Sequence, residues 1–150
     1  MRILVAYDGS ASADAAVREV MDRPWPQGSE IRLATVVQPP ISMVSVAAVE
    51  LYGPLYENMR ATLREEAYKK LQTVLRGLQT RPDLKASYDL REGDIRQCLL
   101  DAIHEWKADL VMAGSRGAGS VSRLFLGSVS HSLVTHAPCN VEIVKVAVAA

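Results

Sequence analysis

Leu110-Val111-Met112-Ala113-Gly114-Ser115-Arg116-Gly117 joins an apolar run to a glycine loop, and Gly127-Ser128 follows after nine intervening residues. Four consecutive apolar residues leave no polar face, so the run reads as a strand covered on both sides. The two glycines let the chain turn sharply and let another group approach the backbone where a Cβ would stand. A new helical pattern opens at Gly127-Ser128, where free N–H groups and a hydroxyl are offered to an anion. Strand, glycine loop and helix start, in that order, form an arrangement that cradles phosphates, and the stretch is read as a nucleotide site in an α/β chain.

The alternation extends outward from this stretch. Apolar runs predict further strands over Arg2–Tyr7, Ile31–Val37, Leu84–Leu90 and Val141–Val146, beside the one over Leu110–Ala113. Helical patterns fall between them, over Ala11–Met21, Leu55 to Gln79, Asp94–Trp106 and Val129–His136. In the third of these, Ile95, Cys98, Leu99, Ala102, Ile103 and Trp106 recur at three- and four-residue spacing, with Asp94 as N-cap. The longest helix carries a stripe of Met59, Leu63, Ala67, Leu71, Leu75 and Leu78, and Pro82 prevents its continuation. On its wet face Glu65 with Lys69, and Glu66 with Lys70, make two (i, i+4) pairs. Strands alternating with helices predict a doubly wound, five-stranded parallel sheet of order 3-2-1-4-5, flanked by helices on both faces. No repeat or linker interrupts the chain, which is read as one domain over residues 1–150. Gln38 to Pro54 is the one irregular segment, with three readings: a lid, a subunit contact, or an extra helical turn packed on the core, the last preferred.

Composition excludes several partners. The 150 residues carry 17 basic and 17 acidic side chains, so no net field draws the protein to nucleic acid or anionic lipid. Ile3-Leu4-Val5-Ala6 is too short an apolar run for a signal peptide or a membrane span. Cys98 and Cys139 lie in separate apolar contexts and read as buried, reduced thiols. A cytoplasmic location is expected.

In a sheet of this order the first and fourth strands are neighbours whose crossovers leave in opposite directions, and ligands bind in the crevice at their C-terminal ends. Asp8 and Gly114 would face each other there. Asp8 opens Asp8-Gly9-Ser10 and has two readings: a cap of an Asx-turn into the first helix, or a carboxylate that accepts hydrogen bonds from a ribose or an adenine amine. Ser128 reads as N-cap of the last helix, Ser130 adds a second hydroxyl, and Arg116 and Arg123 have two readings, reaching phosphate oxygens or standing as solvated surface arginines. Absences narrow the chemistry. The chain has neither a Walker motif with its lysine nor Gly-x-Gly-x-x-Gly after the first strand. His104, His131 and His136 make no metal-site spacing.

Gly114-x2-Gly117-x9-Gly127-Ser128, together with Asp8-Gly9-Ser10, resembles the ATP-binding branch of the universal stress protein family. Ala108 to Gly117 is similar to that family's signature around the fourth strand. Ala137-Pro138-Cys139-Asn140-Val141 resembles its approach to the last strand, where cysteine-proline is more usual than cysteine-asparagine. The resemblance spans Met1 to about Lys145. It implies an adenine nucleotide alpha hydrolase-like fold, similar to electron-transfer flavoproteins and adenylating enzymes. It also implies an adenosine pocket lined by Ala6, Tyr7 and Asp8, with Val36 or Val37 packing on adenine. Ala113, Gly114, Arg116 and Gly117 would border ribose and phosphates, and Gly127, Ser128, Val129 and Ser130 would hold the phosphate chain. The expected ligand is ATP, ADP or AMP, with Mg2+ as a candidate ion. The expected role is a nucleotide-loaded regulator in stress resistance, acting with an unknown protein partner. A slow ATPase or adenylyl-transferring enzyme using the same pocket is the alternative, and an interaction module with a vestigial pocket is a third reading. A homodimer is expected through the last strand, where Val141, Ile143 and Val146 lie at an unpaired sheet edge that pairing with a second copy would cover.

Overall fold

The elements follow one another as β1 (Arg2–Ala6), α1 (Ala11–Asp22), β2 (Ser29–Val37), α2 (Val46–Leu78), β3 (Leu84–Glu92), α3 (Ile95–Trp106), β4 (Leu110–Gly114), α4 (Ser128–His136) and β5 (Asn140–Val144). The structure is a computed structural model that describes residues 1–38, 46–117 and 126–146, without the side chains of 46–51. Its five strands form one sheet of order β3-β2-β1-β4-β5, and every neighbouring pair is parallel, as the alternation predicted.

The pleat sorts each strand's apolar residues to two faces. Ile3 and Val5 of β1, Leu33 of β2 and Met112 of β4 meet α1 and α2 through Ala16, Val20, Leu71 and Leu78. Leu4, Ala34 and Val111 turn the other way, onto α3 and α4 through Leu99, Ile103 and Leu133. β1 lies mid-sheet and β4 beside it, which is why both read as unbroken apolar runs.

Capping sets where the helices that border the site begin. Ser10 Oγ accepts from Ala13 N at 3.1 Å and starts α1. Asp94 Oδ1 accepts from Gln97 N at 2.9 Å and starts α3. Removing that second cap by Asp94→Ala should lower the stability of the fold by about 1 kcal/mol, read as a lower urea midpoint at an unchanged m-value.

α2 departs from its predicted span. It begins at Val46 rather than near Leu55 and runs through Pro54. A proline inside a helix removes one backbone bond without ending the helix when the surrounding turns hold. Only the C-terminal half of its stripe is core: Leu71, Leu75 and Leu78 are buried, Leu63 and Ala67 are half-buried, and Met59 is 37% exposed. Tyr52 is exposed, and the side chains of 39–51, on which the packing reading of the Gln38 to Pro54 segment rests, lie outside the described ones. Residues 39–45 lie outside the described ones. Glu65 and Lys69 pair at 2.7 Å, whereas Glu66 and Lys70 form no ion pair among the described residues. Both cysteines are half-buried rather than buried, and both are free thiols. Among the described residues no helix is long and apolar enough to cross a membrane.

Candidate functional site

Ala6 pairs with Ala113 where β1 and β4 end side by side. α1 leaves β1 toward one face of the sheet and α4 follows β4 on the other, so a crevice opens between the two strand ends. It is a cavity of about 310 Å3. Of the residues read from sequence as site residues, Ala6, Tyr7, Asp8, Val36, Ala113, Gly114, Arg116, Gly117, Val129 and Ser130 line it. Ala13, Ala34, Ile95 and Leu99 line it too, and sequence reasoning did not place them there. The signal for two of them was the α3 stripe itself, whose first turn lies above the C-terminal ends of the strands.

The loop after β1 is built from local chemistry. Asp8 Oδ1 accepts from Ser10 N at 2.9 Å, closing an Asx-turn around Gly9, whose φ of +77° suits glycine. Asp8 Oδ2 points across the crevice: a Cβ on Gly117 would lie 3.0 Å from it. Ser10 Oγ also donates to Arg116 O at 3.4 Å, fastening the first loop to the second. Above them Thr35 Oγ1 donates to Tyr7 O at 2.7 Å, in a buried contact. Tyr7 OH donates to Asp14 Oδ1 at 3.0 Å. Burial first, and then Asp14, pushes the Tyr7 hydroxyl up to about 12, so it stays a neutral donor near pH 7.

The pleat of β2 settles which valine faces the cavity. Tyr7 N donates to Ala34 O, while Gly93 N donates to Val37 O. In a parallel strand alternate residues bond to opposite neighbours. Val36 therefore turns its N–H and C=O toward β1, beyond the point where β1 has ended, and its side chain lines the cavity. Val37 turns its backbone to β3 and its side chain to the α2 face, so it lies outside this cavity.

The two parts of the glycine motif meet at the start of α4. Gly127 N donates to Ser115 O at 2.9 Å, and a Cβ on Gly127 would lie 3.4 Å from Arg116 Cα. That contact puts Gly127 at the N-cap, where Ser128 was expected, and Ser128 becomes the first helical residue. No side chain caps α4, which leaves its first N–H groups without a side-chain acceptor among the described residues. Gly127 and Ser128 border the cavity without lining it. Ser130 Oγ donates to Gly114 O at 2.7 Å, so its proton is already used and its lone pairs remain. Ser115 Oγ is buried with no partner among the described residues. Gly114 is a glycine for a different reason from Gly117: a Cβ there would stand 2.5 Å from the carbonyl carbon of Ser12 in α1. Arg123 lies outside the described residues.

These features suit an anion bound beside apolar side chains: an uncapped helix start with N–H groups to donate, and a glycine whose missing Cβ leaves room in the cavity. A metal ion has less support. Among the described residues no group of three or more His, Cys, Asp and Glu side chains is placed to hold one.

A parallel sheet whose strand order reverses beside a glycine-lined crevice defines a doubly wound α/β protein with its candidate site at the switch point. The chain belongs to the universal stress protein family, whose model matches residues 1–145. It is 28% identical over 144 residues to SH1215, a Staphylococcus haemolyticus protein also named for that family, covering 95% of this chain and 83% of that one. Among solved structures it is similar to that of the protein MJ0577, with a TM-score of 0.83 at 20% identity, covering 99% of this chain and 97% of the other. A family member from Arabidopsis thaliana, At3g01520, solved with AMP bound, matches with a TM-score of 0.56 at 18% identity over 97% of this chain and 91% of its own. A universal stress protein in complex with cAMP matches with a TM-score of 0.54 at 20% identity over 97% and 96%.

Proposed function

We propose that the cavity binds an adenine nucleotide, ATP among them, and that the protein acts as a nucleotide-loaded regulator in the stress response. The observation that carries this reading is the N–H and C=O of Val36, presented side by side to the cavity beyond the end of β1. A donor and an acceptor so spaced match the acceptor and amine edge of adenine. The ring then packs on Val36, Ile95 and Leu99, and the Asp8 carboxylate meets the ribose hydroxyls. Gly117 and the first turn of α4 take the phosphates, with Arg116 at the mouth, and Ser128, Val129 and Ser130 supply the N–H groups. The AMP and cAMP carried by the two solved relatives are of the same ligand class.

We further propose that the protein works as one cytoplasmic domain and pairs with a second copy along β5. β5 is an outer strand, and Val141 and Ile143 are only half-buried on it. Titration calorimetry of the full chain with AMP, ADP and ATP tests the nucleotide reading. Binding at millimolar ligand or tighter is expected, and heats indistinguishable from dilution for all three would overturn it.

A further inference from the structure

On the α2 side of Asp8 a second cleft of about 210 Å3 opens at the C-terminal ends of β1 and β2. It shares Tyr7, Asp8 and Val36 with the first cavity and is otherwise separate. Val37, Leu63 and Ala67 form an apolar wall, and Gln38, Glu66 and Lys70 stand around it.

The charges are arranged in an unusual way for this helix. Glu65 and Lys69, spaced (i, i+4) on α2, close an ion pair at 2.7 Å. Glu66 and Lys70 have the same spacing one residue on, yet form no ion pair among the described residues. Lys70 reaches instead to the turn after β1. Its Cδ and Nζ lie 3.2 and 3.5 Å from the position a Cβ on Gly9 would take, so the lysine stem lies against that turn. An ammonium and a carboxylate are thus held apart beside one apolar wall. A molecule carrying both opposite charges and a short apolar group satisfies all three features at once.

We propose that this cleft binds a free α-amino acid with a branched apolar side chain. Its carboxylate pairs with Lys70, its ammonium with Glu66, and its side chain lies on Val37, Leu63 and Ala67. The reading does not depend on nucleotide binding in the first cavity.

The test follows backbone amide NMR shifts of the full chain on titration with L-leucine. Isocaproate, which is leucine without its amine, is the companion probe. Leucine is expected to shift the amides of Val37, Gln38, Glu66 and Lys70 and to leave Gly117 in place. Glu66→Gln and Lys70→Met, both exposed and without ion pairs to lose, should each weaken leucine about tenfold or more, the usual cost of a lost charged hydrogen bond. Isocaproate should bind more weakly than leucine and respond to Lys70→Met alone. Absence of shifts at the cleft, or equal leucine affinity in the parent and both variants, overturns the proposal. AMP titrated separately reports through Gly117, so a failure there strikes only the nucleotide reading.

Discussion

Gly114→Ala should cost roughly 3 kcal/mol or more of folding free energy, at or beyond the upper end of ordinary overpacking. The added Cβ would stand 2.5 Å from both the carbonyl carbon and the Cβ of Ser12, and 2.7 Å from its carbonyl oxygen. Two of those three atoms are backbone, so no side-chain rotation relieves the clash. Ser12 lies in the first turn of α1, and the same helix is buried against the sheet through Ala13, Ala16 and Val20. Relief would require α1 to lift away from β4, opening the core on that face. A urea midpoint within error of the parent protein would show that the helix start moves freely and would refute this account of Gly114.

The second large effect falls on binding rather than on folding. Gly117→Val should weaken AMP by about a hundredfold, roughly the 3 kcal/mol expected when charged hydrogen bonds are lost, while stability stays within about 1 kcal/mol. The Cβ would meet Asp8 Oδ2 at 3.0 Å, a side-chain oxygen rather than backbone, so a shift of a few tenths of an ångström accommodates it. Gly117 itself is exposed and lines the cavity, so the two methyl groups fill ligand space and leave the core alone. Calorimetry with AMP, beside a urea curve on the same sample, separates the two effects. Unchanged affinity would place the nucleotide elsewhere on the molecule.

These two glycines show how far the sequence reads unaided. Both stand in one four-residue loop after an apolar strand, and nothing local separates them. Their difference lies in what faces each one: helix backbone at Gly114, a side-chain carboxylate oxygen and the cavity at Gly117. The valines of β2 pose the same problem, since both are apolar and adjacent. Only the hydrogen bonds of Ala34 to β1 and of Val37 to β3 decide which one faces the crevice. The cap of α4 fell one residue from its expected place because Gly127 is tied to Ser115, a contact across the loop that residue preferences do not encode. Ile95 and Leu99 were legible as a buried stripe, but their position over the strand ends was not.

Periodicity and turn chemistry act over a few residues, and those levels were determined by the sequence alone. They include the alternation of strand and helix, the Asp94 cap, the Asx-turn at Asp8 and the family's split glycine motif. Tertiary structure decided what lies opposite what: the valine that faces the crevice, the glycine that cannot accept a methyl group, and the Glu66–Lys70 spacing that stays open while Glu65–Lys69 closes. The reason is physical. A hydrophobic period says that a face is buried, whereas the partner of that face is set by sheet order and helix placement, which minimise exposed apolar area over the whole chain at once.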